Sequence, residues 1–66
     1  MNKQEFLDAL RRELAALPAD ELDEAIRYYD EYISEAGGDD DVTELMGSPR
    51  KVAEDFKREY YDKKQS

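Results

Sequence analysis

The 66-residue sequence contains no cysteine, no histidine and no tryptophan. Without cysteine there is no disulfide and no thiolate metal site, which fits a reducing cytosol. Without histidine there is no general base with a pKa near neutrality, so the hydroxyls of Ser34, Thr43, Ser48 and Ser66 have no partner to make them nucleophiles. Glycine is scarce, at three, and proline scarcer, at two. Each of these five residues therefore reads as a punctuation mark rather than as part of a flexible linker. No apolar run reaches the roughly 20 residues that a membrane-spanning helix needs, and Met1 opens into a polar helical pattern rather than a signal peptide.

What the chain does have is charge. Eighteen acidic residues against ten basic leave a net charge of −8. The acidity is local. From Pro18 to Glu44 there are eleven acidic residues and one basic, Arg27. The first 17 residues are balanced, and the stretch from Leu45 onward is mildly basic. Direct binding to a phosphate backbone needs clustered Lys and Arg and is not expected. High charge favours disorder, but the regular apolar spacing argues more strongly for a folded chain. At this length there is one domain, over residues 1–66, burying only about 60% of its unfolded surface. Its core is then worth about 3–5 kcal/mol.

The apolar spacing is helical throughout. Asn2 is a good N-cap, with Glu5 three residues on completing a capping box. Phe6, Leu7, Leu10, Leu14 and Leu17 then fall within an arc of about 100° at helical periodicity. This predicts a helix over about 3–16. Pro18 disfavours helix at Leu17 and suits the first position of a second helix, predicted over 18–36. Asp20, Glu21, Asp23 and Glu24 crowd its positive end. Leu22, Ile26, Tyr29, Ile33 and Ala36 make its apolar stripe, and Gly37 with Gly38 ends it in a left-handed cap. Asp39, Asp40 and Asp41 offer an N-cap to a short helix over 41–46, which Gly47 stops. Ser48-Pro49 starts the last helix, over 49–63, with Val52, Ala53, Phe56 and Tyr60 as its stripe. The expected fold is all-α: a compact bundle of four helices (long, long, short, long) whose tight connections make neighbours antiparallel.

Three chemical readings fail on the residues. Paired carboxylates for acid–base work lie on helix surfaces with no evident cleft. A calcium loop started at Asp39 has Asp41 in its third position, but Glu44 stands where glycine belongs and Arg50 where the bidentate glutamate belongs. A DNA-reading helix with Arg50, Lys51, Lys57 and Arg58 also carries Glu54, Asp55 and Glu59, in a domain that repels phosphate. No catalytic, cofactor or metal-ligating residue is expected.

Tyrosine points elsewhere. Tyr29 and Tyr60 fall on the stripes and read as core. Tyr28, Tyr32 and Tyr61 fall beside the stripes and read as exposed. Tyrosine is enriched where proteins bind one another, although the same rings can also shield the edges of a thin core. Together with the acidic face of the second helix, the candidate partner-binding set is Asp20, Asp23, Glu24, Tyr28, Glu31, Tyr32 and Tyr61. Gly37, Gly47, Ser48 and Pro49 are the structural motif.

These residues also carry a resemblance. The opening Asn2-Lys3-Gln4-Glu5-Phe6-Leu7-Asp8-Ala9-Leu10, the Leu14 and Leu17-Pro18 pair, the acidic Tyr28-Tyr29-Asp30-Glu31-Tyr32 and the later Leu45-Met46-Gly47-Ser48-Pro49-Arg50-Lys51-Val52-Ala53 resemble the HAAS domain. This is the helix-turn-helix-associated α-helical signalling domain, and the similarity covers about residues 2–60. Its most specific element is the Leu45-to-Pro49 block, with glycine and proline two residues apart, placed after an acidic helix that ends in glycine.

The resemblance implies a non-enzymatic N-terminal cytoplasmic module of a bacterial membrane protein, at the inner face of the plasma membrane. It implies signalling by protein contact, with a PadR-like transcriptional regulator as partner. No catalytic residues belong to the family, so none is carried over. The chain stops at Ser66 before any membrane segment, and is read either as a domain excised from a longer membrane protein or as a stand-alone form. Two other functions stay open beside this one. One is self-association, with a homodimer completing the small core; the other is a regulator that binds or mimics DNA.

Overall fold

A computed structural model describes residues 1–38 and 40–65, with side chains through residue 63. Four helices follow one another: α1 (Lys3–Glu13), α2 (Ala19–Ala36), α3 (Val42–Met46) and α4 (Pro49–Gln65). The all-α bundle expected from the periodicity is the observed fold.

Local chemistry sets most of the boundaries. The Asn2 side chain accepts from the Glu5 backbone N–H at 2.9 Å, and the Glu5 carboxylate accepts from the Asn2 N–H at 3.3 Å. Both halves of the capping box are therefore made. Gly37 closes α2 with φ 74°, a left-handed cap that glycine adopts without a Cβ penalty. Asp41 caps α3 through the Glu44 N–H and also accepts from the Thr43 hydroxyl at 2.7 Å. Asp39, the first residue of the aspartate run, lies outside the described residues. Ser48 accepts from the Lys51 N–H at 3.2 Å, and Pro49 takes the first position of α4, where its missing N–H costs nothing.

Some boundaries differ from the sequence reading. α1 ends at Glu13 rather than 16. Pro18 holds Leu17 out of the helical region, so the chain turns early, with Ala15 N–H reaching Arg12 O and Leu17 N–H reaching Leu14 O. Leu14 and Leu17 are nevertheless buried, because the turn keeps both over the core. Pro18 caps α2 from outside with extended ψ, and the helix begins at Ala19. α3 starts at Val42, one residue later than expected, and α4 continues to Gln65, two residues further.

α1 is the hub. It packs against α2, α3 and α4, whereas α2 and α4 stand further apart. Lys3 of α1 meets Asp30 (3.0 Å) and Ser34 (3.1 Å) near the end of α2. Arg11 faces Asp23 (3.8 Å) near its start. These contacts make α1 and α2 antiparallel. They are exposed pairs worth at most about 1 kcal/mol each, so they set register more than stability. Lys57 of α4 donates to the Glu13 carbonyl at the end of α1, satisfying one of the acceptors a helix C-terminus leaves open.

The core gathers on α1. Phe6, Leu10, Leu14, Ile33 and Val42 are fully buried, with Leu7, Leu17, Ile26, Val52 and the small Ala25 and Ala53 around them. Two stripe assignments change. Ala36 is exposed at the end of α2. Ala25, which the stripe omitted, is buried instead. Tyr29, Phe56 and Tyr60 pack against the core but are only partly covered.

Candidate protein interface

The gap between α2 and α4 is spanned by rings rather than by backbone contact. Tyr28 meets Tyr29 edge-on, with centroids 5.1 Å apart. Tyr29 of α2 reaches Phe56 of α4 at 6.3 Å, again edge-on. Phe56 stacks on Tyr60 one turn along α4, at 6.4 Å and 16° between planes. Tyr60 then meets Tyr61 at 5.3 Å. Such pairs are worth about 0.5–1.5 kcal/mol each beyond the area they bury. Of the four, Tyr29–Phe56 joins α2 to α4, and an open groove remains between the helices.

That groove is lined by Tyr28, Tyr29 and Tyr32 from α2, by Met46 at the end of α3, and by Phe56, Glu59 and Lys63 from α4. A second hollow continues it toward the start of α2, where Glu21 and Glu24 face Phe56, Glu59, Tyr60 and Lys63. Residues at the start of α2 thus lie opposite the end of α4, and the two helices run antiparallel. Two of the lining tyrosines are unusually bare: Tyr28 is 62% exposed and Tyr32 48%.

The groove is electrically negative. The Tyr29 phenol is held above the ordinary tyrosine value of 10.0, first by burial and then by repulsion from Tyr28, Glu59 and Asp55. Glu21, Glu24 and Glu59 stand along its walls, with Lys63 as the basic residue on the rim.

The seven residues proposed from the sequence do not form one patch. Tyr28 and Tyr32 share the groove, and Glu24 lies in its continuation. Asp23 turns toward α1 and pairs with Arg11. Asp20 and Glu31 are exposed; with Glu24 they fall within an arc of about 40° on the outward side of α2, next to the tyrosine edge. Tyr61 is exposed and touches Tyr60, but it does not line the groove. The sequence reading missed Met46, Glu59, Lys63 and Glu21 as lining residues, and it placed Tyr29, Tyr60 and Phe56 in the core. The signal for Glu59 was present: it lies one turn from Asp55 and three residues from Phe56, on one flank of the α4 stripe.

Chemistry is sparse around this surface. Among the described residues, no group of three or more acidic side chains could hold a metal ion, and no buried side-chain N or O atom lacks a partner. No helix among them is long and apolar enough to cross a membrane.

The sequence model of the HAAS family matches residues 5–55, most of the chain. The match takes in α1 from Glu5 onward, α2, α3 and the first turns of α4. The α2 wall of the groove lies inside it, and Phe56, Glu59 and Lys63 lie just beyond. No curated protein and no solved structure matches the chain.

Proposed function

The chain belongs to the HAAS family, whose members are small helical modules of the signalling and protein-interaction type, and from that premise we propose that it couples a membrane segment to a PadR-like transcriptional regulator by direct contact at the inner face of the plasma membrane. The regulator docks on the tyrosine edge and acidic outer face of α2. One observation carries this reading: Tyr28 and Tyr32 stand exposed, one turn apart, beside a row of carboxylates of which Asp23 faces Arg11 and Asp30 faces Lys3. Tyrosine supplies large contact area at low entropic cost, and charge of one sign orients the encounter. Glu24, Tyr28 and Tyr32 are the central contacts. Asp20 and Glu31 steer from outside, and Asp23 contributes only after releasing Arg11.

Pull-down of the regulator encoded beside this chain's gene tests the proposal. Charge reversal at Asp20, Asp23, Glu24 and Glu31 abolishes capture if the acidic face docks the partner. Undiminished capture after reversal contradicts it.

A further inference from the structure

The groove between α2 and α4 has a shape and a charge that specify what fits it. From Glu21 to Tyr32 the α2 wall is about 16 Å long, or three helical turns. It is open to solvent along its length, whereas small-molecule sites enclose their ligand. Its floor is apolar, made by Tyr29, Phe56 and Met46, and its walls carry Glu21, Glu24 and Glu59 against a single Lys63. An elongated ligand with one apolar stripe and basic flanks matches all three properties.

We propose that this groove binds a cationic amphipathic helix of a partner protein. The helix lays apolar side chains spaced i, i+3, i+4 and i+7 against Tyr28, Tyr32 and Phe56. Its Lys and Arg residues meet Glu21, Glu24 and Glu59. This is the helix-in-groove mode of recognition. A second copy of this chain is the poorer occupant. A two-fold contact through the groove sets Glu21, Glu24 and Glu59 of one copy against the same residues of the other, in a chain of net charge −8. The inference deepens the docking proposed above, because it assigns the partner's contacting element and moves its seat from the outer face of α2 into the groove.

The test uses the 66-residue chain and synthetic peptides of about five helical turns. One is amphipathic, with leucine at i, i+3, i+4 and i+7 and lysine or arginine elsewhere. A second has the same composition in scrambled order, and a third replaces the basic residues with glutamate. Calorimetry gives affinity, and amide chemical shifts give location. The expected result is binding of the first peptide alone, with shifts confined to Glu21, Glu24, Tyr28, Tyr29, Tyr32, Met46, Phe56 and Glu59. The triple variant Glu21→Gln, Glu24→Gln, Glu59→Gln alters only surface charge, so the fold persists. It weakens binding by about tenfold or more. Equal binding of the scrambled peptide, shifts on α1, or no effect of the triple variant overturns the inference. So does a sedimentation profile showing a dimer that the same three substitutions dissolve. Regulator capture without peptide binding sinks the groove assignment and leaves the docking proposal standing; peptide binding without regulator capture does the reverse.

Discussion

The two sides of this bundle are built from different materials. On the α1 side, aliphatic residues and one phenylalanine are sealed completely: Phe6, Leu10, Leu14, Ile33 and Val42 expose nothing. On the α2/α4 side, tyrosines, Phe56 and Met46 are covered only in part, and Tyr28 and Tyr32 stand largely bare. Aliphatic side chains gain free energy only by leaving water. Tyrosine keeps a hydroxyl that tolerates water while its ring covers apolar surface. The sealed side therefore carries stability. The ringed side can stay open until something covers it. A small domain whose whole perimeter was aliphatic would have to close it all, and would have no site left.

The sharpest way to break this comparison is Leu10→Ala. Leu10 is fully buried on the hub helix, and truncation costs about 3 kcal/mol. In a domain of about 3–5 kcal/mol total stability, that leaves only about 0–2 kcal/mol, so up to about half of the chains are unfolded at ordinary temperature and the melting midpoint falls sharply, as helical circular dichroism would report. A Leu10→Ala chain that melts within a few degrees of the parent would mean the core is not centred on α1.

The sealed side was legible in the sequence; of the open side, the exposure of Tyr28 and Tyr32 was legible and the groove beside them was not. Phe6, Leu7, Leu10, Leu14 and Leu17 announced themselves by spacing alone, because a helix buried on one face must repeat its apolar residues at that period. The capping box at Asn2 and Glu5, the Gly37 cap and the Ser48-Pro49 start were legible for the same kind of reason: each satisfies a local backbone need. The groove depends on how far α2 stands from α4. Tyr29 and Phe56 satisfy the helical period equally well as core residues or as a floor. Only their cross-helix contact and incomplete cover tell the two apart. Likewise the acidic face read as one patch along α2, and only the position of Arg11 on α1 removes Asp23 from it.

A smaller effect is expected where the chain turns into α4. Gly47 has φ 91° and ψ −167°, a region essentially closed to side chains. A Cβ there meets no neighbour, so the penalty is backbone strain alone. Gly47→Ala should cost about 1–3 kcal/mol in urea unfolding. Because α4 supplies Phe56 and Glu59, the same substitution loosens the groove. A neutral result would show that the turn is not what places α4.

The smallest effects come from pH, one on each side. Asp41, capping α3, is held below the ordinary 3.8, first by the Thr43 hydroxyl and then by the Glu44 N–H. A lowered carboxylate contributes stability that is complete above pH 3.8 and is lost as pH falls through its folded value. Tyr29 is raised, chiefly by burial, so its contribution is complete below pH 10.0 and is lost as pH rises through its folded value. Tyrosine ring chemical shifts followed residue by residue through an alkaline titration should place Tyr29 above 10.0.

The central claim is that stability and binding reside on opposite sides of one bundle, and the double variant Tyr28→Ala, Tyr32→Ala tests it most directly. Its urea unfolding and its capture of the regulator are measured together. The account predicts a loss of no more than about 1 kcal/mol per exposed ring in stability and loss of capture. A variant that unfolds as readily as Leu10→Ala, or that captures the regulator as well as the parent chain, would contradict it.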